Sequence, residues 1–533
     1  MRRALSTAEL LRAERVIVPP NDAAARFSFA LVSPTPYFVG MSGLALHSLW
    51  RLLAEDPRFR CERVFCEERA KPAASVESGR PLPQFDLVGF SLSFELDYLR
   101  AVGMLRAAGL APMAADRRLA DPVVIAGGVA ASSNPAPVAA IFDAILVGEA
   151  EEVLPAALDV VASAGSRRAM LEGLAAVPGF HVPAVDDRAG VRVTKQTVAD
   201  LDRYATASAI LTRHTEFADC YLVEVGRGCG RGCRFCLAGH IYRPHRQRSI
   251  ETILRLCEEG LQHTSRVGLV GAALSDCRGI DELAGALRER GARISTSSLR
   301  VESVSPALLR ALAESGQRQI TLAPEAGTER LRAILGKPAA EGQFAEALRM
   351  AGDVGIRRCK LYFMFGLPTE TDEDLQAAGA FVGRLEEAFP GLRLAVSASP
   401  FVPKPHTPFQ WEPMPDVRDL ERRAGLLRQA IRRESNASMQ MESPQWAWVQ
   451  AVLSRGGREL GPVIVESARR GGGAASFRRA LAAQEVRPGE AFARAAEEAR
   501  LPWDMIEGVP EKRGLWRQRE VALRASGPWG PVG

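Results

Sequence analysis

The sequence predicts an α/β protein with two parallel-sheet domains followed by a small, mainly helical module. Three observations carry this. The 533 residues exceed one compact domain, so two to four are expected. Residues 27–160, and again about 206–412, alternate short apolar runs with helix-period segments, the βα rhythm of parallel sheets. Past Pro415 that rhythm stops and five of the seven tryptophans follow residue 440. Hydrophobic residues at 47% and charged residues at 25% exclude a wholly disordered chain.

Taken in order, residues 1–26 are an N-terminal extension. In 27–165, FSFALVSP, GMSGLALHSLWRLLAED and CERVFC read strand, helix, strand. FDLVGFSLSF, ELDYLRAVGMLRAAG and PVVIAGG repeat the unit, and FDAILVGEAEEVLPAALDVVA closes it with strand and helix. Turn residues mark strand ends, as in Ser33-Pro34-Thr35-Pro36 and Gly127-Gly128. Residues 166–205 read as a linker. In 206–415 the candidate strands are CYLVEVG, RVGLVGAAL, ARISTSSLR, QITLAPEAG, KLYFMFGLP and RLAVSASPFVP. Six βα units fit a partial or closed β/α barrel, whose ligand groups sit at the strands' C-terminal ends. Residues 416–533 open on the Arg-rich amphipathic DLERRAGLLRQAIRRE and end on ASGPWGPVG, expected to fray.

Several classes drop out. No stretch of about 18 uncharged apolar residues occurs, so a membrane span is not expected. The start MRRALSTAELLRAERVIVPP lacks an apolar core, so no signal peptide is expected and the cytoplasm is the default. The 68 basic and 63 acidic residues leave +5, too little to support nucleic-acid binding. The nine cysteines are odd in number and sparse, which is no disulfide framework.

Three of the nine nevertheless fall within eight residues, in Gly226-Arg227-Gly228-Cys229-Gly230-Arg231-Gly232-Cys233-Arg234-Phe235-Cys236. The segment follows a predicted strand. Glycines 228, 230 and 232 are expected to take positive φ and curl the loop around a bound object. Thiolates are soft ligands for zinc or an iron–sulfur cluster. Structural zinc wants a fourth ligand, for which His240 and His245 are candidates; three thiolates on a [4Fe-4S] cluster leave one iron open for chemistry. The CxxxCxxC pattern with an aromatic residue before its last cysteine resembles the signature of the radical S-adenosylmethionine (SAM) superfamily. The resemblance implies that Cys229, Cys233 and Cys236 hold a [4Fe-4S] cluster and that Phe235 lies beside the SAM adenine. It implies reductive cleavage of SAM to a 5′-deoxyadenosyl radical.

Strand ends downstream extend the resemblance. Gly271 ends the second strand, where that superfamily's backbone meets the SAM amino group, though the usual Gly-Gly-Glu is absent. Ser298 and Arg300 end the third, Glu325 the fourth, and Gly366 opens a Gly-Leu-Pro-Thr-Glu-Thr turn after the fifth. SAM brings cationic, anionic and hydroxyl groups, and Glu325, Arg300 and Ser298 supply an acid, a cation and a hydroxyl. Arg227, Arg231, Arg234, Arg243, Arg246 and Arg248 surround the loop; they offset cluster charge, meet an anionic substrate, or form a solvated basic surface. A doubly wound domain before the barrel resembles the cobalamin-binding-domain class of the superfamily, in an uncharacterised branch matched by segments 321–337, 400–411 and 501–504. Ser91, Gly127 and Gly128 match positions that line the cobalamin. The Asp-x-His-x-x-Gly loop is absent, and the chain has Ser33 to Met41 there instead, with His47 on the next helix. The resemblance implies a one-electron donor such as flavodoxin or ferredoxin and leaves the substrate unknown. It admits cobalamin-dependent methylation of an unactivated C–H site. A methylthiotransferase-like tRNA or ribosome modifier, and a non-enzymatic metal-binding regulator, are the competing readings. Lys337, Lys404 and His406 also recur in that branch.

Overall fold

The computed structural model describes residues 5–21, 25–67, 73–296, 298–492 and 494–524. Parts of the expected N-terminal extension, Ser297 and the ASGPWGPVG end with Trp529 lie outside the described residues. The chain divides into two compact units. One comprises Met1–Leu222, Leu453–Pro488 and Arg500–Val509; the other comprises Val223–Val452, Gly489–Ala499 and Pro510–Gly533.

The first unit is built on a six-stranded sheet. Its strands are β1 (Phe27–Ser33), β2 (Phe59–Phe65), β3 (Leu87–Ser91), β4 (Val123–Gly127), β5 (Ala144–Leu146) and β6 (Phe180–His181). They lie in the order β2-β1-β3-β4-β5-β6. All neighbours are parallel except β6, which runs antiparallel to β5. The central strands β1, β3 and β4 are largely apolar because a parallel sheet is covered on both faces. Helix α1 (Leu44–Ala54) buries Leu46, Trp50 and Leu53, a stripe at helical spacing whose members each contribute about 1.5–3 kcal/mol. The order reverses between β1 and β3, the switch point at whose carboxyl ends doubly wound sheets open a crevice.

Residues read as linker and C-terminal module complete this unit. Asn134 donates to the carbonyls of Ser454 (3.0 Å) and Gly456 (2.9 Å). A Cβ on Gly461, in the helix Leu460–Arg469, would lie 3.2 Å from that of Ala140. The strand Ile506–Glu507 pairs in parallel with Val193–Thr194. Residues 206–222 also belong here, and buried Arg51 donates to the Ser208 carbonyl (2.9 Å) and the Tyr221 hydroxyl (3.1 Å). The division therefore differs from three consecutive domains: the segment 416–533 is shared between both units.

The second unit begins in β7 (Tyr221–Glu224) and contains β8 (Arg266–Val270), β9 (Arg293–Thr296), β10 (Gln319–Glu325), β11 (Arg358–Phe365), β12 (Arg393–Pro400) and β13 (Ser438–Met441). They form two sheets, β7-β8-β9 and β10-β11-β12-β13. The Leu299 N–H donates to the Thr321 carbonyl at 3.0 Å just past β9, carrying the barrel from one sheet to the other. Between the strands run α2 (Ile250–Leu261), α3 (Ile280–Glu289), α4 (Pro306–Glu314), α5 (Glu341–Asp353), α6 (Asp372–Ala388) and α7 (Val417–Glu434). This is the expected partial β/α barrel of six strands, extended by β13. That seventh strand adds parallel to β12 at residues expected to be helical. The Arg-rich α7 is thus a barrel helix: Leu420, Leu427 and Ile431 are buried, while Arg422 pairs with Asp372 and Arg423 with Glu370.

Along β11, Cys359, Leu361, Phe363 and Phe365 are buried. The Phe363 ring meets Phe381 of α6 edge-on at 6.2 Å, so this parity faces the helices. Lys360, Tyr362 and Met364 turn the other way, into the barrel.

Candidate functional site

The cysteine loop leaves β7 and returns through a short antiparallel pairing of Gly226–Arg227 with Arg246–Gln247. Closing its neck requires glycine. A Cβ on Gly226 would lie 2.7 Å from the Arg246 carbonyl oxygen, and one on Gly228 2.6 Å from that of Tyr242. Gly228 and Gly232 take positive φ as expected, but Gly230 does not, so two of the three glycines are needed for conformation. The far arm is tied down by the Arg234 N–H on the Leu335 carbonyl (2.9 Å) and by the Arg234 guanidinium on the carbonyls of Ala333 and Ile334 (2.8 Å each).

Within this frame Cys233 is buried and Cys229 and Cys236 are half-buried. Burial pushes the Cys236 thiol up, opposed by the backbone N–H groups of Gly239 and Ala238, while the charges of Cys233 and Cys229 add to the rise. The three thiols are thus close enough that charge on Cys229 or Cys233 disfavours charge on Cys236. Among the described residues no group of three His, Cys, Asp or Glu is placed to hold a single metal ion. The soft donors and the two N–H groups on Cys236 fit a cluster held by thiolates. His240, a candidate fourth zinc ligand, is fully buried with Nδ1 2.9 Å from the Cys236 carbonyl oxygen, and burial holds its pKa down.

Arg300 brings its Nη1 to 3.8 Å from Cys233 Sγ. Its Nη2 donates to Glu302 at 2.8 Å, its Nε lies 3.8 Å from Asp276, and its backbone N–H donates to Ser275 Oγ at 3.0 Å. Asp276 also receives the Arg231 fork at 2.6 and 2.7 Å. Burial raises the Asp276 carboxyl, but Arg231, Ser303 and Arg300 outweigh it and hold the group below its ordinary range. Asp276 and Glu302 escaped the sequence reading; the signal was only an Arg-x-Glu and a Ser-Asp after two different strands.

The other expected residues fall at strand ends of the same unit. Glu325 ends β10 beyond a register shift and sits at φ +66°, a conformation uncommon for a side chain. Its carboxylate is paired with Lys337 at 2.9 Å, both nearly buried. Gly366 takes φ +76°, and its N–H donates to Glu370 at 2.7 Å. Burial pushes Glu370 up to about 7, against the Gly366 N–H and Arg423, which favour its charged form. Phe235 packs into one apolar cluster with Leu331, Leu335, Leu367, Phe401 and Phe409, which brings it to the turn that holds Gly366. Gly271 presses on the residue that follows β7, since a Cβ would lie 2.9 Å from the Val225 side chain. Ser298 is half-buried two residues past β9. His406 is buried at φ +59°, and Thr407 donates to the Lys404 carbonyl. The arginines around the loop are largely tied to backbone and acids: Arg227 and Arg248 to Glu224, Arg231 to Asp276, Arg243 to the Gly239 carbonyl, Arg246 to that of Pro244.

In the first unit, Ser91 and Gly127 are register partners at the ends of β3 and β4. A Cβ on Gly127 would have room, 3.8 Å from Leu146. Gly128, at φ +98°, is pressed on the chain itself, since a Cβ would lie 2.5 Å from the Leu92 carbonyl oxygen. Its glycine has a structural cause. His47 is buried with Nδ1 accepting from the Ala209 N–H (3.2 Å) and Nε2 on the Met41 carbonyl (3.1 Å). Burial lowers it to about 4, so both ring nitrogens are committed in a neutral ring. Past the ends of β1 and β3, either side of the switch point, Val39 in the short helix Tyr37–Gly40 and Phe94 are 52% and 42% exposed.

Comparison with known proteins places this architecture. Residues 223–382 match the family model of the radical SAM superfamily, and residues 45–183 match that of the N-terminal region of radical SAM proteins. An uncharacterized protein of Methanocaldococcus jannaschii, MJ0966, is 30% identical over 437 residues, covering 81% of this chain and 89% of that protein. The ribosomal protein uS12 methylthiotransferase RimO of a Synechococcus strain is 29% identical over 253 residues, 45% of this chain and 52% of that protein. The cobalamin-dependent SAM radical enzyme OxsB, solved with aqua-cobalamin, superposes with a TM-score of 0.51 at 17% identity, over 80% of this chain and 60% of that one. The chain belongs to the radical SAM superfamily. Its cofactors are accordingly a [4Fe-4S] cluster and SAM. The family needs a reductant and a substrate, and no described helix is long and apolar enough to cross a membrane.

Proposed function

We propose that the protein cleaves SAM reductively and uses the resulting 5′-deoxyadenosyl radical on an unactivated C–H site, with cobalamin as carrier in a methylation. The observation that carries the radical reading is the cysteine loop with Arg300 at 3.8 Å from Cys233. Cys229, Cys233 and Cys236 would hold the cluster, which when bound supplies the electron that breaks the SAM sulfonium bond. Arg300 holds positive charge against the thiolates. Asp276 and Glu302 aim that guanidinium, and the N–H groups of Ala238 and Gly239 point at Cys236. Phe235 and the Gly366 turn give an apolar wall for an adenine. Glu325, at the register shift that ends β10, offers a carboxylate to an ammonium or ribose hydroxyl, and Lys337 pairs with it at 2.9 Å.

Cobalamin is supported by the switch point between β1 and β3, by Gly127, where a Cβ would meet only Leu146 and at ordinary contact distance, and by the exposed apolar Val39 and Phe94 past the ends of those strands. The loop after β1 lacks histidine and both ring nitrogens of His47 are hydrogen-bonded to backbone, so neither would hold a corrin there. When bound it would supply a methyl carrier. The methylthiotransferase reading would want further cysteines for a second cluster. Cys61 and Cys66 are buried in the first unit, and burial pushes the Cys61 thiol well up. Anaerobic protein is incubated with hydroxocobalamin and passed through gel filtration. A corrin spectrum that co-elutes at about one per chain is expected, and its absence removes the cobalamin half of the reading.

A further inference from the structure

Each parallel strand from β8 to β12 starts at the same end of the barrel, and that end is basic. Arg266 opens β8, Arg293 β9, Arg358 β11 and Arg393 β12. Register places Arg266 opposite Arg293, and Arg358 opposite Arg393, on neighbouring strands about 4.8 Å apart. On β11, Arg358 shares the parity of Lys360 and Tyr362, which is the interior face; on β8, β9 and β12 the arginines likewise alternate with the buried Val267, Ile294 and Leu394. All four arginines are exposed. Among the described residues no ion pair involves Arg293, Arg358, Arg393 or Lys360. Like charges set side by side on one sheet face cost stability. Other arginines at this end cap helices instead, Arg290 on the Ala286 carbonyl and Arg357 on that of Gly352.

Above the ring the interior is lined by small side chains. The next positions inward are Gly268, Ser295, Thr321 and Ala395 on β8, β9, β10 and β12, with Lys360 between on β11. One step further stands Tyr362, 38% exposed although β11 is flanked by strands on both sides, with the Lys360 ammonium 5.0 Å from its ring centroid. A large aromatic so exposed on an inner strand looks into open space.

We propose that this ring binds the phosphate or diphosphate end of an elongated organic substrate, whose body lies along Tyr362 toward the cysteine loop. This rests on the radical SAM reading of the barrel. Arginine forks match phosphate oxygens bidentately, and several in one ring exceed what a single carboxylate needs. Arg358 and Met364, near the carboxyl end of β11, are six residue steps apart, about 20 Å at strand rise, which sets the length.

The test uses the full chain with its cluster reconstituted, and inorganic pyrophosphate as the probe, by calorimetry. Saturable binding is expected, weakened by salt and by about tenfold in Arg358→Ala/Arg393→Ala. Arg293→Gln, on the other sheet, should weaken it in the same direction. Melting temperatures of these variants should stay level or rise, since a repulsion is removed; a fall of several degrees would mean the arginines brace helix ends and would overturn the proposal. So would absence of pyrophosphate binding, an equal loss in Arg349→Ala on the outer helix α5, or binding of citrate in preference to pyrophosphate. 5′-Deoxyadenosine formation by the same preparation is scored separately. Product without anion binding sinks this proposal alone, whereas anion binding without product sinks the radical reading.

Discussion

At the scale of single residues, the second unit places charge where it is costly and compensates it locally. Glu325 and Lys337 are nearly buried partners at 2.9 Å, with Glu325 in a left-handed backbone. Lys337→Met leaves a buried carboxylate unpaired, and a loss of about 3 kcal/mol is expected in denaturant unfolding, partly recovered in Glu325→Gln/Lys337→Met. His47 carries a pH effect in the first unit. Its folded pKa is about 4 against an ordinary 6.5, so its contribution is present above pH 6.5 and is lost as pH falls toward 4, by up to about 3 kcal/mol. The melting midpoint of that unit should drop over this window less steeply in His47→Gln than in the native chain. The cysteine triplet was legible in the sequence because its chemistry lies in adjacent residues. Asp276 and Glu302 were not, because their partner Arg300 and the Arg231 fork reach them only through the fold.

At the scale of elements, the barrel depends on how closely α7 lies on α6. A Cβ on Gly379 would stand 2.5 Å from the Ala430 carbonyl oxygen, and one on Gly383 2.5 Å from that of Glu434. Backbone cannot yield as a side-chain tip can, so Gly379→Ala should cost about 1–3 kcal/mol. Gly285→Ala in α3 meets nothing within 4 Å and should instead stabilise by about 0.5–1 kcal/mol. Thermal melts of the two variants, compared with the parent, check the opposite signs. The six expected barrel strands were readable because β-branched and aromatic runs separate amphipathic helices. The seventh, Ser438–Met441, was not, since four residues of mixed polarity have no period to show and take their conformation from the edge of β12.

At the scale of the whole molecule, the chain does not finish one unit before starting the next. Residues 453–488 and 500–509 belong to the unit that begins the chain. A truncation after residue 452 should therefore remove the helix Leu460–Arg469 and the strand Ile506–Glu507 from that unit and abolish its cooperative melting, as followed by circular dichroism. Sequence order suggested three consecutive modules because local periodicity carries no record of where a helix docks. Fold class and cofactor set survive this rearrangement, since they reside in the βα rhythm and in the cysteine loop. The central claim is that this loop makes the chain a radical SAM catalyst. The direct measurement is 5′-deoxyadenosine formed from SAM by the anaerobically reconstituted full chain with dithionite. Product is expected from the native chain and none from Cys229→Ala, Cys233→Ala or Cys236→Ala. A native preparation with cluster and SAM both bound that yields no 5′-deoxyadenosine would contradict it.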